Sequence, residues 1–144
     1  MENESAQDLP GIPNQDGFEA SILQEVFEAS IEETPALVAR HLDQLSPSLR
    51  GTQLELFLQS LWNHFEGIRI AKEEGKFEIA KNLHELAAHG FNKLQIHEME
   101  STSRALSSYA AAIIELQRFN INRTQQLFKE TEEYLRGAGR FGKK

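Results

Sequence analysis

Along the chain, apolar residues recur every three or four positions with charged residues between them, from about residue 17 to residue 136. That spacing collects the apolar side chains on one face of an α-helix, and no stretch alternates with the period of two that a half-buried strand needs. Asp16 to Glu19 supplies a side-chain acceptor with a glutamate three residues on, and Phe18, Ile22, Val26 or Phe27 and Ile31 then share a face. This predicts a first helix over roughly 17–31. Thr34 and Pro35 start a second, carrying Leu37, Val38, His41, Leu42 and Leu45 as far as Ser46 and Pro47. Gly51 to Glu55 reads as a capping box ahead of a third and wider stripe, Leu54, Phe57, Leu58, Leu61, Phe65 and Ile68, which ends at Gly75. Phe77, Ile79, Ala80, Leu83, Leu86 and Ala87 form a fourth helix, stopped at His89 and Gly90, where glycine can take the left-handed cap conformation. Asn92 is expected to cap a fifth, with Leu94, Met99, Leu106, Tyr109, Ile113 and Leu116, running to Phe119 and Asn120. A sixth starts near Asn122 and carries Leu127, Phe128, Tyr134 and Leu135. The predicted fold class is all-α, with about six helices.

Short turns between long helices make neighbours antiparallel, so helices three and four form a hairpin around Gly75 and helices five and six another around residues 120–122. Each helix has an apolar stripe, so the pairs must stack to bury it. Within residues 62–92, Gly75, Phe77, Ala80 and Ala87 fall at the spacing of the second half of a tetratricopeptide repeat and resemble that family's helical hairpin. Gly67, Ile68 and Asn92 depart from the family's pattern. The resemblance implies a stacked array whose concave side, made by the first helix of each pair, binds a peptide or a helix of another protein.

The ends differ from this body in composition and in sign. Residues 1–16 hold Glu2, Glu4, Asp8 and Asp16 with no basic residue, and residues 136–144 hold Arg136, Arg140, Lys143 and Lys144 with no acidic one. Both are poor in large apolar residues, which predicts a disordered acidic tail over 1–16, a helical domain over 17–136 and a flexible basic tail over 137–144. Arginines spaced by glycine beside Phe141 suit single-stranded nucleic acid, which makes Arg136, Arg140, Lys143 and Lys144 the candidate contacts of an alternative, tail-assisted nucleic-acid binder. The net charge of −7 opposes that approach to phosphate and to anionic membranes alike.

The 144-residue chain has no cysteine, which excludes disulfides, thiolate metal sites and a cysteine nucleophile. Its start lacks the features of a signal peptide and no apolar run is long enough to span a bilayer, so the expectation is a soluble cytoplasmic protein with no membrane partner. His84, His89 and His97, with Glu98 and Glu100, raise a metal or phosphotransfer bundle as a further alternative. Against it, residues 84 and 89 diverge by about 140° on a helix, no HExxH or paired ExxH ligand set is present, and the His-x-x-Lys-Gly of phosphotransfer bundles is missing. These histidines read as solvated, and Ser101, Ser103, Ser107 and Ser108 as packing or surface residues without a nucleophile elbow. No phosphate-binding glycine loop is present. The chain is thus expected to be no enzyme, to use no cofactor or metal, and to act as a protein-interaction or adaptor module, with a homo-oligomer left open. Trp62 and Phe65, neighbours on the third helix, are the candidate partner-binding anchors, although the stripe itself, Phe57, Leu58, Leu61 and Phe65, has the spacing of a core.

Overall fold

Each predicted stripe folds as a helix, and no strand occurs among the described residues. The structure, a computed structural model, describes residues 15–138, with side chains from residue 21 onward. Six α-helices follow in order: α1 (Gln15–Glu28), α2 (Thr34–Asp43), α3 (Gln53–Arg69), α4 (Phe77–Lys93), α5 (His97–Gln117) and α6 (Ile121–Arg136). A 3₁₀ turn, Pro47–Leu49, joins α2 to α3, and a π turn, Ile70–Glu74, extends α3. From α2 onward each helix packs on the next, and α3, α4, α5 and α6 form a row of antiparallel neighbours. The protein is all-α, and none of the described helices is long and apolar enough to cross a membrane.

The core lies where α1, α2 and α3 meet the second half of α4. Ile22, Val26, Val38, Leu54, Leu58 and Leu61 are enclosed there with Phe57, Phe65 and Phe91, and half-buried Trp62 packs against them. Two polar links hold α1 and its following loop to the rest: Glu25 meets His41 of α2 at 3.0 Å, and Glu32 meets Lys72 of the π turn at 2.6 Å.

The caps differ from expectation in instructive ways. At the start of α3, Glu55 Oε1 accepts the Gly51 N–H at 2.7 Å, while the Thr52 hydroxyl donates back to the Leu49 carbonyl, so only the carboxylate half of the capping box forms. That backbone bond, with Arg50 beside it, holds the Glu55 carboxyl below the usual range. Thr34 is likewise inside α2, donating to the Ser30 carbonyl at 2.8 Å, and Glu33 takes the cap position. Gly75 ends the α3 segment as predicted, at φ 67°.

Gly90 does not end α4, and Asn92 does not cap α5, because α4 runs on through both to Lys93. After α4 and α5 the left-handed residues are not glycines but Gln95 and Phe119, each at φ 61°. After α4, the Ile96 N–H reaches the Phe91 carbonyl and the Gln95 N–H that of Asn92; after α5, the Asn120 N–H reaches Glu115 and the Phe119 N–H reaches Leu116. Both are Schellman closures built without glycine. Gly90 serves another purpose. A Cβ there would stand 1.8 Å from Ser60 Oγ and 3.1 Å from Ser60 Cβ, so glycine permits the close approach of α4 to α3.

Gly90→Ala should therefore lower stability by about 1–3 kcal/mol through overpacking, although alanine is the better helix former. Ser60→Ala in the same chain should restore part of it. Urea unfolding measures both, and a more stable single variant would show that the α3–α4 spacing is not set at this point. Leu61→Ala, which empties a fully enclosed site, should cost about 2–5 kcal/mol in the same assay.

Candidate functional site

Two histidines meet where α3, α4 and α5 converge. His64 stands on the apolar face of α3, three residues after Leu61, and His84 stands on the inner face of α4 between Ala80 and Ala87. Their rings lie 5.4 Å apart, edge to face. His64 Nδ1 is 2.9 Å from the hydroxyl of Ser103 on α5, and the same ring meets Phe65 edge-on at 4.9 Å. His84 sits over Gly67, where a Cβ would come within 2.8 Å of Cε1. Its Nδ1 is buried with no hydrogen-bond partner. Burial pushes the His84 imidazole down to about 4, and burial first, then the neighbouring His84, holds His64 well below the ordinary 6.5. Both rings are neutral at pH 7.

His84 also forms part of the wall of a pocket of about 270 Å³, completed by Ile68, Ala71 and Lys72 at the end of α3, Phe77 and Ala80 of α4, and Leu106, Tyr109 and Ala110 of α5. Ser103 is fully enclosed and does not line that pocket. Ser108 is also buried, and Ser107 lies 3.5 Å from Glu85.

The opposite kind of site is on the outside of α5 and α6. Apart from Met99 of α5 and Leu127 of α6, the buried residues of these helices are small: Thr102, Ser103, Ala105, Ser108, Ala110 and Ala112 on α5, and Thr124 and Thr131 on α6. Several of their larger apolar residues are left in solvent. Tyr109 and Leu116 of α5, Phe119 of the turn, and Ile121, Phe128 and Leu135 of α6 are all exposed, Phe119 at 86%. Residues 121, 128 and 135 are seven apart and run along one line of α6. The Tyr109 and Phe128 rings, 5.9 Å apart, join that line to α5.

The sequence-predicted site residues are thus rearranged. Phe65, at 2% exposure, is enclosed in the core, whereas Trp62 is half-buried against the same core. His84 is buried rather than solvated as expected, while His89 and His97 are exposed, the latter 3.8 Å from Glu100. No group of three or more His, Asp or Glu among the described residues is placed to hold a metal ion. Arg136 is exposed at the end of α6, and Arg140, Lys143 and Lys144, like most of the predicted acidic tail, lie outside the described residues. Sequence spacing missed His64, although its position within the stripe from Leu61 to Ile68 marks it as inward-facing. It missed the outer face of α5 and α6 because large apolar residues at helical spacing read as core. Comparison with family models, with curated proteins and with solved structures finds no match to this chain.

The neutral histidines give stability a defined pH dependence. Both have folded values depressed below 6.5, so the stability tied to their neutral forms is complete above that pH and is lost as pH falls toward the folded values, for His84 toward about 4. Urea unfolding between pH 7.5 and 5 should show stability falling with acid, and His84→Leu should flatten the slope. A slope unchanged in that variant would mean that His84 is not held neutral by the fold.

Proposed function

We propose that this protein is a non-catalytic helical interaction module that binds a helix or peptide of another protein on the outer face of α5 and α6. The observation that carries this reading is Phe119. It is a bulky aromatic residue at φ 61°, in a turn position where glycine is favoured, with its ring turned out into solvent. A left-handed conformation costs such a residue on the order of 1 kcal/mol or more. Strain combined with exposure does nothing for folding, and it suits an anchor that is buried only when a partner arrives. Leu116, Ile121 and Phe128, also exposed on the two helices that the turn joins, add apolar area to that of Phe119.

The tetratricopeptide-like reading, which puts binding on the first helix of each pair, accounts for the α5 part of that face. Gly75 closes the α3–α4 hairpin, Ala80 and Ala87 are fully buried within it, and α5 would be the first helix of the next pair. The reading takes the protein as cytoplasmic, in keeping with a cysteine-free chain. Because apolar burial is not screened by salt, binding should survive raised ionic strength and removal of residues 139–144.

Phe119→Gly separates binding from folding. The variant should be as stable as the parent or more stable by about 1 kcal/mol, since glycine relieves the strain. It should nevertheless capture its protein partner from native lysate at least tenfold less well, and Phe128→Glu should lose the partner altogether. Capture unaffected by both substitutions, or abolished only by deleting residues 139–144, would overturn the reading. Sedimentation of the purified chain tells whether the partner is a second copy.

A further inference from the structure

His84 is a polar side chain that packing does not require. It is 2% exposed, its Nδ1 has no hydrogen-bond partner, and a leucine in its place would avoid the cost of burying that atom. Instead α3 makes room for the imidazole, since a Cβ at Gly67 would come within 2.8 Å of Cε1. Few ionisable groups face the ring. α3 supplies His64, 5.4 Å away ring to ring, the π turn supplies Lys72, already paired with Glu32 at 2.6 Å, and α5 supplies Tyr109 to the wall that His84 shares. On α4 itself, Lys81 reaches Glu78 at 3.8 Å, and Glu85 lines a separate depression with Arg104 of α5 and Tyr134 of α6. Among the described residues no carboxylate belongs to the wall around His84, so an imidazolium formed there would have to reach water to be solvated.

Which helix can move aside depends on how each is held. α3 and α4 are locked together by Gly67 under His84 and by Gly90 against Ser60. The large side chains of the core lie on α1, α2, α3 and the second half of α4; α5 joins them only through Met99 of its first turn, and α6 contributes none. Beyond Met99, α5 rests on the body through small side chains such as Ser103 and Ala110, and its polar link to α3 is the His64–Ser103 hydrogen bond at 2.9 Å. Small side chains bury little apolar area, so the α5–α6 hairpin has the least to lose by leaving. We propose that protonation of His84 opens the molecule in acid, the α5–α6 hairpin swinging away from α4 about the first turn of α5 while α1 to α4 stay folded. The open form hydrates the imidazolium and uncovers the inner faces of α4 and α5, so acid changes the surface that the protein offers. Burial lowers the affinity of His84 for a proton in the closed form, toward a value of about 4, so the open form takes up the proton first and acid shifts the population toward it. The proposal stands independently of partner binding on the outer face of α5 and α6, and its test uses no partner.

The test is amide hydrogen exchange read by NMR on the full chain at a series of pH values from neutral to about 4, each rate corrected for intrinsic exchange, with the emission of Trp62 on α3 as a second signal from the body. Protection of the Ala105, Ala110, Ala112 and Leu127 amides should fall about tenfold per pH unit below roughly pH 6, the slope of one coupled proton, and return to neutral pH should restore it. Protection of Val38, Leu58 and Phe91, and the Trp62 emission, should hold over the same range. His84→Leu should keep the hairpin protected in acid. His84→Gln, neutral and closer in polarity to the parent, serves the same comparison where the leucine variant does not fold. Loss of protection in both sets of amides at the same pH, a hairpin protected throughout, or an unchanged pH profile in the variants would overturn the proposal. The two sets of amides on the unaltered chain distinguish local opening from general unfolding without any variant.

Discussion

The close contact of α3 with α4 is the constraint on which the remaining structure depends. It is reciprocal: Gly67 of α3 lies under His84 of α4, and Gly90 of α4 lies against Ser60 of α3. At each point one helix gives up its side chain so that a polar side chain of the other can enter. The hairpin is thereby fixed in register as well as in distance, because sliding one helix by a residue would set Ser60 and His84 against side chains instead of gaps. An all-leucine seam would bury more apolar area but would tolerate such slips.

That contact determines what α5 can do. With His84 seated deep between the helices, His64 and Ser103 come within hydrogen-bonding distance, and this bond joins α3 to α5. The α5 surface that meets α4 and α6 is then lined by serine and alanine, so the helices can approach closely while little large apolar surface is used. Tyr109, Leu116 and Phe128 are displaced to the flank as a result. The core and the outward apolar face are two outcomes of one choice, small residues between the later helices.

Much of this was legible in the stripes and some was not, for physical reasons. Period alone located six helices, because burial of one face is what makes a helix stable in a protein. Gly75 was read rightly as a terminator, yet the same reasoning misplaced Gly90, since a glycine can serve either a left-handed backbone or a close approach and the sequence does not distinguish them. The left-handed positions without glycine, Gln95 and Phe119, carry no sequence signature; both are exposed, and the closing backbone bonds at the helix ends hold them there. His84 is flanked in sequence by Leu83 and Glu85, so nothing local tells which way it turns, and Gly67, the residue that admits it, lies on another helix. Phe65 was legible as core from its stripe, and the same stripe argued against using it as an anchor.

Where a chain departs from the locally favoured residue without a gain in its own stability, function is the natural place to look. Here the departures fall into two groups. His84 and its partnerless nitrogen mark the inside of the molecule, and Phe119 with its strained backbone marks the outside. They share one helix: α5 supplies Leu106 and Tyr109 to the pocket and ends in the turn that carries Phe119. Tyr109 belongs to both, lining the pocket and touching Phe128 of the outer face. Tyr109 thus ties the groove between α4 and α5 to the outer face of α6 through one ring.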